Sequence, residues 1–201
     1  MMHNKIPILT LTVVLIASLL TLVPFQSALI FDRQMVQHGA IWQLFSAHLV
    51  HGDLAHLGWN LLGFGVIGSM LEVISRRAWL YSMCFGLVAL NSFLVSSLST
   101  VQFYCGFSGL LNTFLFVLLW QLWRRESSPM ILVVTVVASA KILFELGAGT
   151  SLLTEISWPP YPEAHLVGFV GAAAYVASAL LIERKSTGCQ SCLKEIRRLE
   201  P

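Results

Sequence analysis

The sequence predicts an all-α, polytopic membrane protein, a single-domain bundle of six transmembrane helices. Three observations predict it. Hydrophobic residues make up 56% of the 201-residue chain. Charged residues make up only 11%, where a soluble domain carries about 25%. Long apolar runs recur along the whole length, and at about 20 residues per crossing of an ~30 Å hydrocarbon core, six spans take about 120 residues and leave about 80 for loops and ends. This composition excludes a disordered chain and an ordinary soluble domain. A net charge of +2 is too small to draw a nucleic acid.

The first run, Ile6 to Val23, follows Lys5. It exceeds the ~7–15-residue core of a signal peptide and has no A-x-A cleavage site behind it, so it reads as a retained helix. Further spans are expected at Leu54–Ile74, Trp79–Leu98, Ser108–Trp123, Met130–Leu146 and Ala164–Ile182. Arg pairs, Pro129 and the Pro159-Pro160 turn separate them.

Charge sets the direction. With the N-terminus cytoplasmic, the inner segments collect Lys5, Arg76, Arg77, Arg124, Arg125, Arg184, Lys185, Lys194, Arg197 and Arg198, whereas the outer segments hold Arg33 alone and Lys141 lies within a span. This is a strong positive-inside bias. It places residues 26–53 as an outer loop lying on the membrane interface, where Trp42 and Phe45 favour the boundary, and residues 183–201 as a basic cytoplasmic tail. In that tail Leu193, Ile196 and Leu199, spaced by three among basic residues, suggest a short helix on the inner leaflet.

The chemistry gathers at the outer face. Gly106-Phe107-Ser108-Gly109 opens the fourth span with a serine between glycines. Glycine admits close backbone approach, and a helix N-terminus offers free N–H groups and a positive dipole end. A nucleophilic serine needs room for a scissile carbonyl and donors for the oxyanion formed on attack. Alone, such a motif is better explained by small-residue helix packing in lipid. It gains weight from a base at the same depth. His165 opens the sixth span, and Gly168, Gly171 and Ala172 follow on its face, so this helix can pack against that of Gly109 and bring the imidazole towards Ser108. His56 and Asn60 share one face of the second span and, with the Ser108 backbone N–H, supply an oxyanion hole. Neither Glu163 nor Asp53 is placed to act as a third group, and both read as solvated, so a Ser–His dyad is expected.

Taken together, Trp42-Gln43-Leu44-Phe45-Ser46-Ala47-His48, His51, His56-Leu57-Gly58-Trp59-Asn60, Gly106-Phe107-Ser108-Gly109 and Ala164-His165-Leu166-Val167-Gly168 resemble the rhomboid family of intramembrane serine proteases. The resemblance implies cleavage of a membrane-anchored protein near the outer face, with Ser108 as nucleophile, His165 as general base, His56 and Asn60 assisting the oxyanion, and no metal or cofactor. The small size, Tyr104 and the Glu163-Ala164-His165-Leu166 run are similar to the rhombosortase branch, which implies a bacterial inner membrane and removal of C-terminal anchors. Three positions depart from the family pattern. Gln43 replaces an arginine and so weakens the case for loop anchoring. Asn112 stands where a ring commonly packs beside the base, and Ala172 replaces a glycine.

Two other functions compete. Four histidines and Cys105 near one face suit a metal-binding transporter, but leave Ser108 and Asn60 without a role. A catalytically silent, client-binding relative would have lost the serine or the histidine. His48 and His51 read as loop-positioning residues, Lys141 and Glu145 as a local or outward-snorkelling pair, Glu72 and Arg76 as an interfacial pair, Cys84 as an apolar filler, and Cys189/Cys192 as free cytoplasmic thiols.

Overall fold

A computed structural model describes residues 6–150 and 161–199, with side chains through residue 185. Six major helices carry the fold: α1 (Ile8–Thr21), α4 (Leu54–Ile74), α5 (Arg76–Val95), α6 (Ser108–Glu126), α7 (Pro129–Ala148) and α8 (Pro162–Leu199). Four of them, α4, α5, α7 and the Pro162–Lys185 part of α8, are long and apolar enough to cross a membrane. Helix α1 is apolar but has 14 residues, about 21 Å at 1.5 Å per residue. Helix α6 is the most enclosed, packed by α4, α5, α7 and α8, and it spends its length on polar groups as well as apolar ones.

Local chemistry sets the boundaries. Ser75 ends α4 and caps α5 by accepting the Ala78 N–H, so Arg76 and Arg77 lie within the first turn of α5 and not in a loop. Helix α7 starts with Pro129 behind a Ser128 cap, the position where a missing N–H costs nothing. Asp53, expected to be a solvated group, instead caps α4 by accepting the His56 N–H at 2.7 Å. The basic tail does not form a separate short helix, because α8 runs without a break for 38 residues. The Pro159-Pro160 turn and the side chains of Leu193, Ile196, Leu199, Cys189 and Cys192 lie outside the described residues.

Aromatic rings fill the centre. Phe64 stacks on Phe107 at 4.8 Å between centroids and meets Phe114 edge to face at 5.0 Å. Trp79 closes the cluster against Phe114 at 5.3 Å. Cys84 is not part of this core and faces outward from the bundle.

The outer connection is folded. It contains a 3-10 turn at Gln26–Leu29, β1 (Phe31–Asp32), α2 (Arg33–Gln37) and α3 (Gln43–Ser46), and β1 pairs antiparallel with β2 (Phe103–Tyr104), a two-stranded element that helical periodicity does not reveal. Gln43 proves a stronger anchor than expected. Only 3% exposed, its amide oxygen accepts the Asp32 N–H at 2.9 Å and its amide nitrogen donates to the Ala28 carbonyl. Trp42 donates to that same carbonyl at 3.1 Å while half its surface stays open. Arg33 donates to the carbonyls of Ser96, Ser99 and Val101, tying the loop to the end of α5.

At the opposite end, Glu72 pairs with the half-exposed Arg76 as expected, but it does more than that. Its carboxylate is buried and accepts the backbone N–H groups of Leu9 and Thr10 and the Thr10 hydroxyl, with Arg76 at 3.5 Å on one side. It caps α1 from another helix.

Candidate active site

Ser108 is the first residue of α6, half-buried, so its N–H has no intrahelical acceptor. The turn before it is held tightly. Gly106 donates to the Ala47 carbonyl at 2.9 Å, and its own carbonyl accepts the Tyr104 hydroxyl at 3.2 Å. Gly106 has φ of +109°, and a Cβ there would lie 2.6 Å from His56 Cε1. Only glycine both adopts this conformation and leaves the space that the ring occupies. Asn112, where a ring was missing, donates to the Ser108 carbonyl at 2.9 Å and so braces the first turn.

His56 and Asn60 are buried side by side on α4. Asn60 donates one amide hydrogen to the His56 carbonyl at 2.9 Å. His56 Nδ1 and Asn60 Oδ1 are buried and have no partner among the described residues, which is unusual for buried polar atoms. The structure thus lays the His56 ring directly against the turn that carries Ser108.

Helices α6 and α8 meet backbone to backbone. A Cβ on Gly168 would come within 2.0 Å of the Gly109 carbonyl oxygen, and one on Gly109 within 3.1 Å of the Ala164 carbonyl oxygen. Thr113 adds a hydrogen bond to the Gly168 carbonyl at 2.8 Å. Gly171 continues the seam against Phe85 and Gly86 of α5, and Ala172 is buried. Ser108 and His165 are the immediate neighbours of the touching residues Gly109 and Ala164. No hydrogen bond joins Ser108 Oγ to His165 among the described residues.

A carboxylate reaches His165, contrary to the expectation of none. Glu145 of α7, fully buried, lies with Oε2 2.8 Å from His165 Nδ1 and with Oε1 2.6 Å from Lys141 Nζ. The Lys141–Glu145 pair is local as expected, but Glu145 points into the bundle. In the sequence a local pair with Lys141 accounts for Glu145, and no residue signals that α7 faces α8. The available signal was the carboxylate itself, since an ionisable group within a span marks function by default. Glu163 is exposed.

His48 and His51 are buried beneath the outer loop. His48 Nε2 donates to Asn91 Oδ1 at 3.0 Å; His51 contacts Thr21 and stacks edge-on against His56 at 5.0 Å. Burial lowers His48 to about 4. Burial, with His56 as a second cause, lowers His51 to about 3. Both are neutral in the fold, whereas the unfolded chain takes up protons near pH 6.5. Stability therefore falls as the pH drops below about 6.5, by about 1.4 kcal/mol per pH unit for each histidine. Thermal unfolding in detergent is expected to shift steeply downward between pH 7 and 5. A flat profile there would remove these two residues as buried neutral groups.

Cys105 is buried, and desolvation pushes its thiol up to about 12, so it is a neutral thiol at ordinary pH. Among the described residues no group of three or more His, Cys, Asp or Glu side chains could hold a metal ion.

These features define a polytopic helical membrane protein with a polar, glycine-built site at one end of its bundle. Residues 38–182 match the family model of the Rhomboid domain, and the chain belongs to the rhomboid family, whose members are generally intramembrane serine proteases. No significant match to the chain is found among curated proteins or solved structures.

Proposed function

We propose that this protein is an intramembrane serine endopeptidase that cleaves a transmembrane protein near the outer face of the bilayer. In this reading all six major helices span the membrane as one domain and both termini are cytoplasmic. The setting is a bacterial inner membrane, and the substrate is a C-terminal anchor removed in rhombosortase fashion. The observation that supports it is the close contact of Gly109 on α6 with Gly168 and Ala164 on α8, the chain neighbourhoods of Ser108 and His165, together with the His56 ring lying against Gly106.

The reaction follows from the parts. Ser108 Oγ attacks the scissile carbonyl as its proton passes to His165. The resulting oxyanion meets the Ser108 N–H and the His56 and Asn60 side chains. His165 then returns the proton to the leaving amine, and water hydrolyses the acyl-enzyme by the same route. No cofactor is required. One observation favours a catalytically silent client-binding relative instead, the missing hydrogen bond between Ser108 and His165. Such bonds are often long before substrate binds.

Labelling by a fluorophosphonate in detergent separates the two. Wild type is expected to label, and Ser108→Ala and His165→Ala to lose labelling while remaining folded. Labelling that survives Ser108→Ala, or a folded wild type that does not label, overturns the protease reading.

A further inference from the structure

Resting on that protease reading, we propose that Glu145 is the third member of the site, a positioning residue that fixes the tautomer and orientation of His165. An ionised carboxylate can only accept. Its Oε2 lies 2.8 Å from His165 Nδ1, so the ring proton sits on Nδ1 and the lone pair is left on Nε2. This is the nitrogen that must take the Ser108 proton, since the two ring nitrogens exchange roles according to the partner of either one. As that proton moves to Nε2, the Ser108 Oγ–carbon bond forms and the carbonyl electron pair moves onto oxygen. Glu145 then faces an imidazolium, whose charge it stabilises without itself accepting the proton.

The placement of Glu145 is hard to explain by packing. Helix α7 is the least enclosed of the four helices able to span, with only Ile131, Ile142 and Glu145 buried. Leu132, Val133, Val136, Val137, Leu143 and Phe144 are all exposed on the outside of the bundle. An aliphatic residue at position 145 would seat such a helix without desolvating a charge, and a buried ion pair is seldom retained for stability. Lys141 supplies the counter-charge one turn away, at 2.6 Å from Oε1. The carboxylate is thus held from one side by its own helix and presented on the other to the candidate base.

The test is the kinetics of fluorophosphonate inactivation, split into the maximal rate and the half-saturating concentration. Glu145→Gln keeps the shape and loses the charge. It is expected to lower the maximal rate by about 10²-fold or more, by analogy with loss of the orienting carboxylate in a serine-protease triad, with the half-saturating concentration little changed and the unfolding midpoint lowered only modestly by the lost charge assistance. Glu145→Asp restores part of the rate. In wild type carrying 15N-histidine, His165 is expected to show a protonated Nδ1 and a bare Nε2. A Glu145→Gln enzyme that labels at the wild-type rate, while Ser108→Ala and His165→Ala do not label, overturns the role of Glu145 and leaves the protease reading standing. Persistent labelling of Ser108→Ala brings down both. If Glu145→Gln does not fold, the wild-type spectrum decides, and a proton on Nε2 overturns the proposal.

Discussion

Gly168→Ala is expected to abolish fluorophosphonate labelling and to destabilise the protein by about 3 kcal/mol or more, the upper end of overpacking costs in a tight core. The added Cβ would meet the Gly109 carbonyl oxygen at 2.0 Å and the Gly109 carbonyl carbon at 3.0 Å. These are backbone atoms in a helix, which cannot rotate away, so α8 must retreat from α6 by more than an ångström to reach ordinary contact distance. That retreat would stretch the bond from the Thr113 hydroxyl to the Gly168 carbonyl, now 2.8 Å. It also carries His165, one turn earlier on α8, away from Ser108, and a displacement of about 1 Å at a reacting centre costs about 10²-fold in rate. Gly58→Ala and Gly65→Ala are the controls. A Cβ at either position meets nothing within 4 Å, and replacing a mid-helix glycine removes unfolded-state entropy, so both should label normally with unfolding midpoints unchanged or slightly raised. If Gly168→Ala labelled as fast as these controls, the close seam would not be what assembles the site.

The helices were legible because hydropathy is a property of long windows. Leu54–Ile74 is found with the bounds its apolar run suggests, and the start of α6 at Ser108 follows from the glycine-flanked serine. The errors arise where a single side chain decides. Ser75 pulls Arg76 and Arg77 into α5 by capping it, a local hydrogen bond that averaged hydropathy cannot register. The pairing of Phe31 and Asp32 with Tyr104 and Phe103 joins segments about 70 residues apart through backbone atoms, so no residue type announces it. Gln43 anchors the outer loop where arginine was expected, because the loop asks for one acceptor and one donor at the same point, and an amide provides both.

The site divides the same way. Ser108, His165, His56 and Asn60 could be nominated from sequence because glycine flanks and helical spacing constrain what may lie beside them. That Gly109 and Gly168 touch follows from the small-residue rule for helices in lipid. Glu145 could not be assigned, since its spacing from Lys141 satisfies a local ion pair and nothing in a linear reading says that the opposite oxygen meets an imidazole on another helix. The two groups are 20 positions apart, on either side of a connection that need only be long enough to let α7 and α8 lie together. Intramembrane charge was the one warning, and the same warning applied to Glu72.

Glu72→Ala should be among the most destabilising single changes, by about 3–5 kcal/mol, the cost of dismantling a buried charged interaction from one side. Helix α1 has no side-chain cap of its own. Pro7 precedes it and has no side-chain acceptor, and no acidic residue occupies its first turn. The first N–H groups of a helix need partners, and those of Leu9 and Thr10 find both oxygens of Glu72, at 3.1 and 2.9 Å. The Thr10 hydroxyl donates to the same carboxylate at 3.0 Å and accepts from Trp79 Nε1 at 3.0 Å, linking α1 to α4 and α5. The negative charge also faces the positive end of the α1 dipole. Alanine leaves these donors buried without an acceptor and opens a cavity beside them. Glu72→Gln retains the shape and one acceptor oxygen, so a smaller loss of about 1–2 kcal/mol is expected from the lost charge assistance. The unfolding midpoint in detergent measures both, and equal midpoints for wild type and Glu72→Ala would refute the capping role. The consequence extends to the outer end of the bundle. Thr21, in the last turn of α1, contacts His51, which in turn packs edge-on against His56. Loosening α1 at its capped end should therefore slow labelling of Ser108 in Glu72→Ala even below the temperature at which the protein unfolds.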